Sequence, residues 1–174
     1  INIEENTTIT TIYDQKIYDI KILEKGSKDF LNKINIKENS YAKSYEICKN
    51  TTIYTSNDNG MFGTEDNGYL DDIMPTILDI TTEIKNIIKE SIQPINKIYI
   101  TGTAALINNI DLYFQDYLPE IECEILKPYF LIGRNDINIK DYIEVNSAIS
   151  LALTGLGQGV AGINFKEMSF SESI

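Results

Sequence analysis

Histidine and tryptophan are absent from this 174-residue chain, arginine occurs once, at Arg134, and cysteine twice, at Cys48 and Cys123. Each shortage removes a class of function. Without histidine there is no Ser-His-Asp or Cys-His nucleophile and no histidine-ligated zinc. Two cysteines are too few for a disulfide framework and suit a reduced, cytosolic compartment. Both lie in apolar patterns and are expected in the core. The 15 basic residues face 26 acidic ones, a formal charge of −11. That balance argues against nucleic acid as the main partner, because phosphate binding needs clustered Lys and Arg. No apolar run approaches the roughly 20 residues of a spanning helix, and no basic amphipathic stretch suits a membrane surface. Direct membrane insertion is therefore not expected. The first residue is Ile1 and not methionine, which reads as a processed chain or a piece of a longer one.

What is present alternates between strand and helix signals. Ile1–Glu4, the β-branched run Thr7–Tyr13 and the alternating Ile17–Leu23 predict three short strands. Their short polar connections, including Asp14-Gln15-Lys16, make them an antiparallel meander. Ser27 is expected to cap a short helix through Ile34, and a second helix is expected from Asn39 or Ser40 to Lys49. Asn50–Gly68 is polar and Gly-rich, with room for a hairpin through Thr51–Tyr54. Leu70, Ile73, Met74, Ile77, Ile80, Ile84, Ile87, Ile88 and Ile92 recur at helical spacing before Pro94, with Pro75 expected in the first turn. A strand over 97–101, a helix over 104–118, a strand over 121–126 and a helix over 141–156 complete the pattern. The series predicts an α/β sheet of partly parallel order.

Several stretches carry the look of chemistry. Gly157-Gln158-Gly159-Val160-Ala161-Gly162 spells G-x-G-x-x-G, but it follows a helix and belongs to no βαβ unit, so it reads as a linker. The acidic loop around Gly60 and Gly68 fits an EF-hand poorly, since counting back from Gly60 puts Thr55 first and Asp66 twelfth. Asp71-Asp72 reads as favourable charge at a helix N-terminus. No sequence feature brings two carboxylates together in an apolar cleft, as a hydrolase pair requires. The junction Ile98-Tyr99-Ile100-Thr101-Gly102-Thr103-Ala104-Ala105 is more informative. A strand ending on glycine before a helix lets a flat or anionic ligand approach the backbone closely, or is simply a tight turn.

Four segments in order resemble the actin-like ATPase superfamily. Ile1–Thr8 resembles its second phosphate-binding hairpin, and Tyr45-Glu46-Ile47-Cys48-Lys49 resembles its A-E-x-x-K helix. Thr101-Gly102-Thr103-Ala104 resembles its adenosine-binding glycine turn. Ala148–Leu156 resembles the final helix of the type IV pilus assembly family PilM and its relative FtsA. The resemblance implies an actin-like (RNase H-like) lobe: a mixed sheet with a three-strand antiparallel meander followed by parallel strand–helix units. Residues 1–50 and 94–157 are then its core, 51–93 a small inserted subdomain with the acidic loop and long helix, and 158–174 a Gly-rich linker and tail. The resemblance further implies a nucleotide site at Asn6, Thr7, Thr8, Glu46, Lys49, Gly102, Thr103 and Ala104, although Glu46 and Lys49 also suit an ordinary solvated helix pair.

The departures erode that site. Asn2 stands where the family's carboxylate helps hold metal, Glu4 where a glycine admits phosphate, Thr103 where a second glycine lies, and Tyr45 where the helix has alanine. The first phosphate loop has no counterpart here. The expectation is therefore no ATP hydrolysis and no cofactor for this chain alone, with ATP and Mg belonging, if anywhere, to a full-length protein. The PilM-like resemblance implies a cytosolic scaffold of type IV pilus assembly, peripheral at the inner face of the membrane, with a PilN-like inner-membrane partner. Ile163-Asn164-Phe165 resembles that partner's I-N-L-type motif and is expected to serve partner binding or self-association. The rival expectation is half of a working FtsA-like or sugar-kinase-like ATPase.

Overall fold

The computed structural model describes residues 1–53, 68–127, 133–134 and 136–145. The meander forms as expected. β1 (Asn2–Ile3) pairs antiparallel with β2 (Thr7–Tyr13), and β2 with β3 (Lys16–Leu23). Asp14 and Gln15 make the β2–β3 turn with φ of 48° and 59°. Positive φ at both positions matches the twist of the flanking strands, so Lys16 already belongs to β3.

Helix α1 (Ser27–Glu38) runs four residues beyond the expected end and takes Gly26, not Ser27, as its N-cap. Asp29 closes that end, since Gly26 N donates to its Oδ2 at 2.8 Å and Asp29 N to Gly26 O at 3.1 Å. The helix continues past Ile34 until Asn39, at φ 51°, turns the chain left-handed. Helix α2 (Tyr41–Asn50) starts on Ser40, whose Oγ accepts from Lys43 N. Over the described part of the hairpin expected at 51–54, the chain pairs elsewhere: Thr52 bridges Asn108 in parallel, with Ile53 N donating to Asn108 O at 2.9 Å. Local propensity in that run yields to a tertiary partner.

Helix α3 (Leu70–Glu90) buries Ile73, Thr76, Ile77, Ile80, Thr81 and Ile84. It begins at Leu70 as the repeat does, so Pro75 is its sixth residue and falls in the second turn rather than the expected first, and one internal hydrogen bond is forgone there. Strand β4 (Lys97–Ile100) pairs in parallel with β5 (Glu122–Ile125). The single helix expected over 104–118 is instead two pieces. A 3₁₀ turn (Thr103–Leu106) and α4 (Ile110–Tyr117) are separated by extended Ile107 and left-handed Asn109 at φ 65°. The break lets Asn108 N donate to Thr51 O, which a continuous helix would forbid. Residues 139–145 are helical; the rest of the helix expected over 141–156 lies outside the described residues.

The end of β1 joins the two pairings into one surface. Ile1 N donates to Tyr99 O at 2.7 Å, Thr101 N to Ile1 O at 2.9 Å and Ile3 N to Thr101 O at 2.9 Å. With the parallel Asn2–Thr101 bridge, the strands lie in the order β3-β2-β1-β4-β5, antiparallel on one side and parallel on the other. One face of this surface packs on the helices. Ile3, Ile9, Ile98 and Ile100 meet Phe30, Ile34, Ile73, Ile77, Ile80 and Phe114 in a single buried cluster. The helical face of α3 shares that cluster, which gives its isoleucine stripe a burial site.

Candidate functional site

The turn between β1 and β2, Glu4-Glu5-Asn6, is held by protein groups on two sides. Ser27 N, at the start of α1, donates to Glu4 O at 2.7 Å. A Cβ at Gly26 would stand 2.2 Å from that same oxygen, so α1 approaches the turn more closely than any side chain permits. From the other side Gly102, at φ 90°, presses on β1: a Cβ there would lie 2.5 Å from Asn2 Oδ1 and 2.6 Å from Ile3 O. The close approach that this glycine allows is therefore the approach of β1. Thr103 then donates from Oγ1 to Glu4 Oε2 at 2.6 Å, and Lys28 Nζ donates to Asn6 Oδ1 at 2.5 Å.

Over this turn opens a cleft of about 720 Å³ between the turn, the start of α1, one face of α2 and the helical residues 139–145. Its charged lining is Glu4, Glu5 and Glu144 against one ammonium, Lys28. Tyr41 and Tyr45, one helical turn apart on α2, form an aromatic wall. Burial, followed by the charges of Glu144 and Glu4, pushes the Tyr45 phenol up to about 12. Tyr45 is therefore a neutral hydroxyl at physiological pH. A phosphate oxygen about 5 Å from one of these carboxylates meets roughly 3 kcal/mol of repulsion at an effective dielectric of about 20. The lining favours a cationic or neutral polar occupant over a polyphosphate.

The residues singled out from the sequence are only partly brought together here. Thr103 lines the cleft; Gly102 lies against β1 and Ala104 is fully buried, neither lining it. Asn6 sits on the exposed turn beside Lys28. Thr7 is fully buried, and its Oγ1 has no hydrogen-bond partner among the described residues. Thr8 occupies the opposite sheet face, paired with Ile22. Glu46 is exposed on α2. Lys49 forms an ion pair with Glu144 at 2.8 Å, and that hydrogen bond holds its ammonium above the usual lysine value. Lys140 Nζ donates to Lys49 O at 2.8 Å and to Asn108 Oδ1. Its cation sits at the carbonyl end of α2, where the helix dipole favours it, while burial, and then Lys49, lowers its own pKa. Ile163, Asn164 and Phe165 lie outside the described residues.

Sequence reasoning missed the wall and rim of the cleft. The Tyr41–Tyr45 spacing was a usable signal, being i, i+4 on the face of α2 next to buried Ser44 and Cys48. Glu144 and Lys28 gave none, because Glu144 reaches Lys49 and Tyr45 from about a hundred positions away.

Among the described residues no cluster of His, Cys, Asp or Glu could hold a metal ion, and no helix is long and apolar enough to cross a membrane. No family model matches the chain, and no curated protein matches its sequence. Its fold does have a solved counterpart. A structure described as "PilM-PilN type IV pilus biogenesis complex" superposes with a TM-score of 0.60 over 88% of this chain at 18% identity. The chain spans 44% of the length of that protein. At such identity the likeness is one of fold: a mixed α/β arrangement with a three-strand antiparallel sheet and a parallel pair, similar to that of the pilus complex.

Proposed function

We propose that this chain is a degenerate actin-like lobe that acts as a cytosolic scaffold in type IV pilus assembly, engaging a PilN-like inner-membrane partner through its surfaces. The observation that carries the reading is the fold likeness to the pilus complex over most of the chain. The chemistry of the cleft supports the absence of ATP turnover. Glu4 accepts from Thr103, Ser27 N is committed to Glu4 O, and the carboxylates outnumber the single lysine. A nucleotide would have to break these internal bonds and meet like charge. A cytosolic segment of an inner-membrane partner, presenting basic or neutral polar side chains, would meet neither cost.

The test pairs two measurements on the 174-residue chain. Calorimetric titration with the cytosolic N-terminal segment of a PilN-like protein should give saturable binding, and Mg-ATP should give neither a thermal shift nor turnover above a protein-free blank. Saturable ATP turnover, or a partner segment that does not bind, overturns the reading.

A further inference from the structure

Strand β3 is the free edge of the strand order among the described residues, and its outer face is apolar. The cross-strand pairs Thr8–Ile22, Thr10–Ile20 and Ile12–Ile17 lie on the face opposite buried Thr7 and Ile9. Ile22 is 66% exposed and Ile12 64%, with Ile17 and Ile20 about half exposed. Toward β4 and β5 this outer face mixes charge with exposed Tyr99 and Leu126, and Lys97 binds Glu122 at 2.9 Å and Glu124 at 3.1 Å. The isoleucines are therefore confined to the hairpin that carries the open edge. An open strand edge presents unpaired main-chain N–H and C=O groups and is a template for pairing with another strand.

The sequence of the edge names its partner. Read against itself in antiparallel sense about Ile20, β3 sets Ile20 opposite Ile20 and Asp19 opposite Lys21. Every central position then meets its complement, the two charge pairs being related by the two-fold axis. Moving the axis by one residue destroys this: centred on Asp19 it opposes two aspartates, and centred on Lys21 two lysines. Centring between residues instead sets Asp19 or Lys21 against isoleucine. Tyr18 is the residue that the irregularity leaves without a cross-strand partner, and it lines a cleft beside the end of α3 with Asp19 and Lys21, so the match rests on Asp19–Lys21. Lys21 already reaches Glu83 at 3.8 Å, a half-exposed pair that leaves its ammonium accessible to a second carboxylate.

We infer that β3 is a self-recognition edge: two copies of this chain pair antiparallel along Asp19–Lys21 about a two-fold axis at Ile20, with reciprocal Asp19–Lys21 contacts. The interface is isologous, as a closed dimer requires. It extends the sheet of one copy into that of the other and leaves the cleft over the β1–β2 turn untouched.

Sedimentation equilibrium of the 174-residue chain at roughly 0.15 M salt, where charges in contact remain unscreened, tests it together with two charge variants. The wild type should show a reversible monomer–dimer equilibrium at concentrations up to about 200 µM. Asp19→Lys places lysine against lysine twice and Lys21→Asp places aspartate against aspartate twice, so each alone should weaken dimerisation tenfold or more, on the order expected for two inverted cross-strand pairs. Mixed together, the first variant presents lysine at both charged positions of the edge and the second presents aspartate at both. Each lysine then faces an aspartate across the axis, and the pair should form a heterodimer of wild-type strength. That restoration excludes misfolding of either variant as the cause of the loss. A wild type that stays monomeric, a dimer indifferent to either substitution, a mixture that fails to recover, or a dimer abolished by deleting residues 158–174 with β3 intact overturns the proposal.

Discussion

Replacing Gly102 by alanine tests whether this glycine serves to seat β1. Two costs add at this position. With φ 90° and ψ −173° the residue occupies backbone space essentially reserved for glycine, which costs a substituted residue about 1–3 kcal/mol. The new methyl would stand 2.5 Å from Asn2 Oδ1, 2.6 Å from Ile3 O and 2.8 Å from Ile3 C, two of the three being main chain that cannot rotate away. Strand β1 must then shift, stretching the Ile3 N to Thr101 O and Thr101 N to Ile1 O bonds, both 2.9 Å. At about 1 kcal/mol each net, the total reaches roughly 3–5 kcal/mol, or a fall of about 6–20 °C in Tm for a domain of this size. Gly133 supplies the control. It too has positive φ, 79°, but an added Cβ meets nothing within 4 Å, so Gly133→Ala should cost only the strain, about 1 kcal/mol. Thermal melts followed by far-UV circular dichroism, with urea midpoints as a second reading, separate the two. If G102A melts within about 2 °C of wild type, or no lower than G133A, the packing argument is wrong.

Two further outcomes follow from titratable groups. Burial pushes the Cys48 thiol up to about 12 and Cys123 up to about 11, and Cys123 also donates from Sγ to Ile121 O. Both should resist a thiol-specific chromogenic reagent at about pH 8 in the native protein and react at once in denaturant; rapid native labelling of either would place it outside the core. Lys25, Lys37, Lys43 and Lys49 are each held above the usual 10.5 by a hydrogen bond to a carboxylate. A folded pKa above the unfolded one contributes stability that is complete below 10.5 and is lost as pH rises through the folded value. Tm should accordingly fall as pH rises above 10.5, and Glu144→Gln, which removes the partner of Lys49, should cost less at the alkaline end than at about pH 8. A penalty for Glu144→Gln that is constant with pH would refute the assignment.

The parts of the fold legible in the sequence are those set by short-range pattern. The meander follows from β-branched alternation and a two-residue turn, and the isoleucine repeat at helical spacing marks α3. Helix α2 is legible from Ser40 and the residues after it. The failures share one cause. Thr51–Ile53 has strand propensity and reads as half of a local hairpin, but its partner is Asn108, far along the chain. The same pairing requires the break at Ile107–Asn109 that divides the expected helix, and no periodicity records it. Helix α1 outruns its expected end because its stop is a left-handed asparagine, not a glycine or proline. In the candidate site, Glu4 and Thr103 stand out as departures from a family pattern, and they prove to be bonded to each other. A departure shared by two residues that touch is one event, which a linear reading counts as two.

That coupling bears on what the cleft can become. In a turn that binds a ligand through its main chain, small residues leave the backbone groups open to the incoming molecule. Here the small residues, Gly26 and Gly102, face inward and admit α1 and β1, while the cleft side of the turn carries Glu4 and Glu5. Substituting Glu4 by glycine would therefore not restore a phosphate loop. It would strip buried Thr103 of its acceptor and still leave Glu5 and Glu144 over the opening. Recovering anion binding would require changes on the turn and on the helical residues 139–145 together, since Glu5 belongs to one and Glu144, paired with Lys49, to the other. The charge of the cleft is thus set by side chains of separate elements, and it disfavours a polyphosphate.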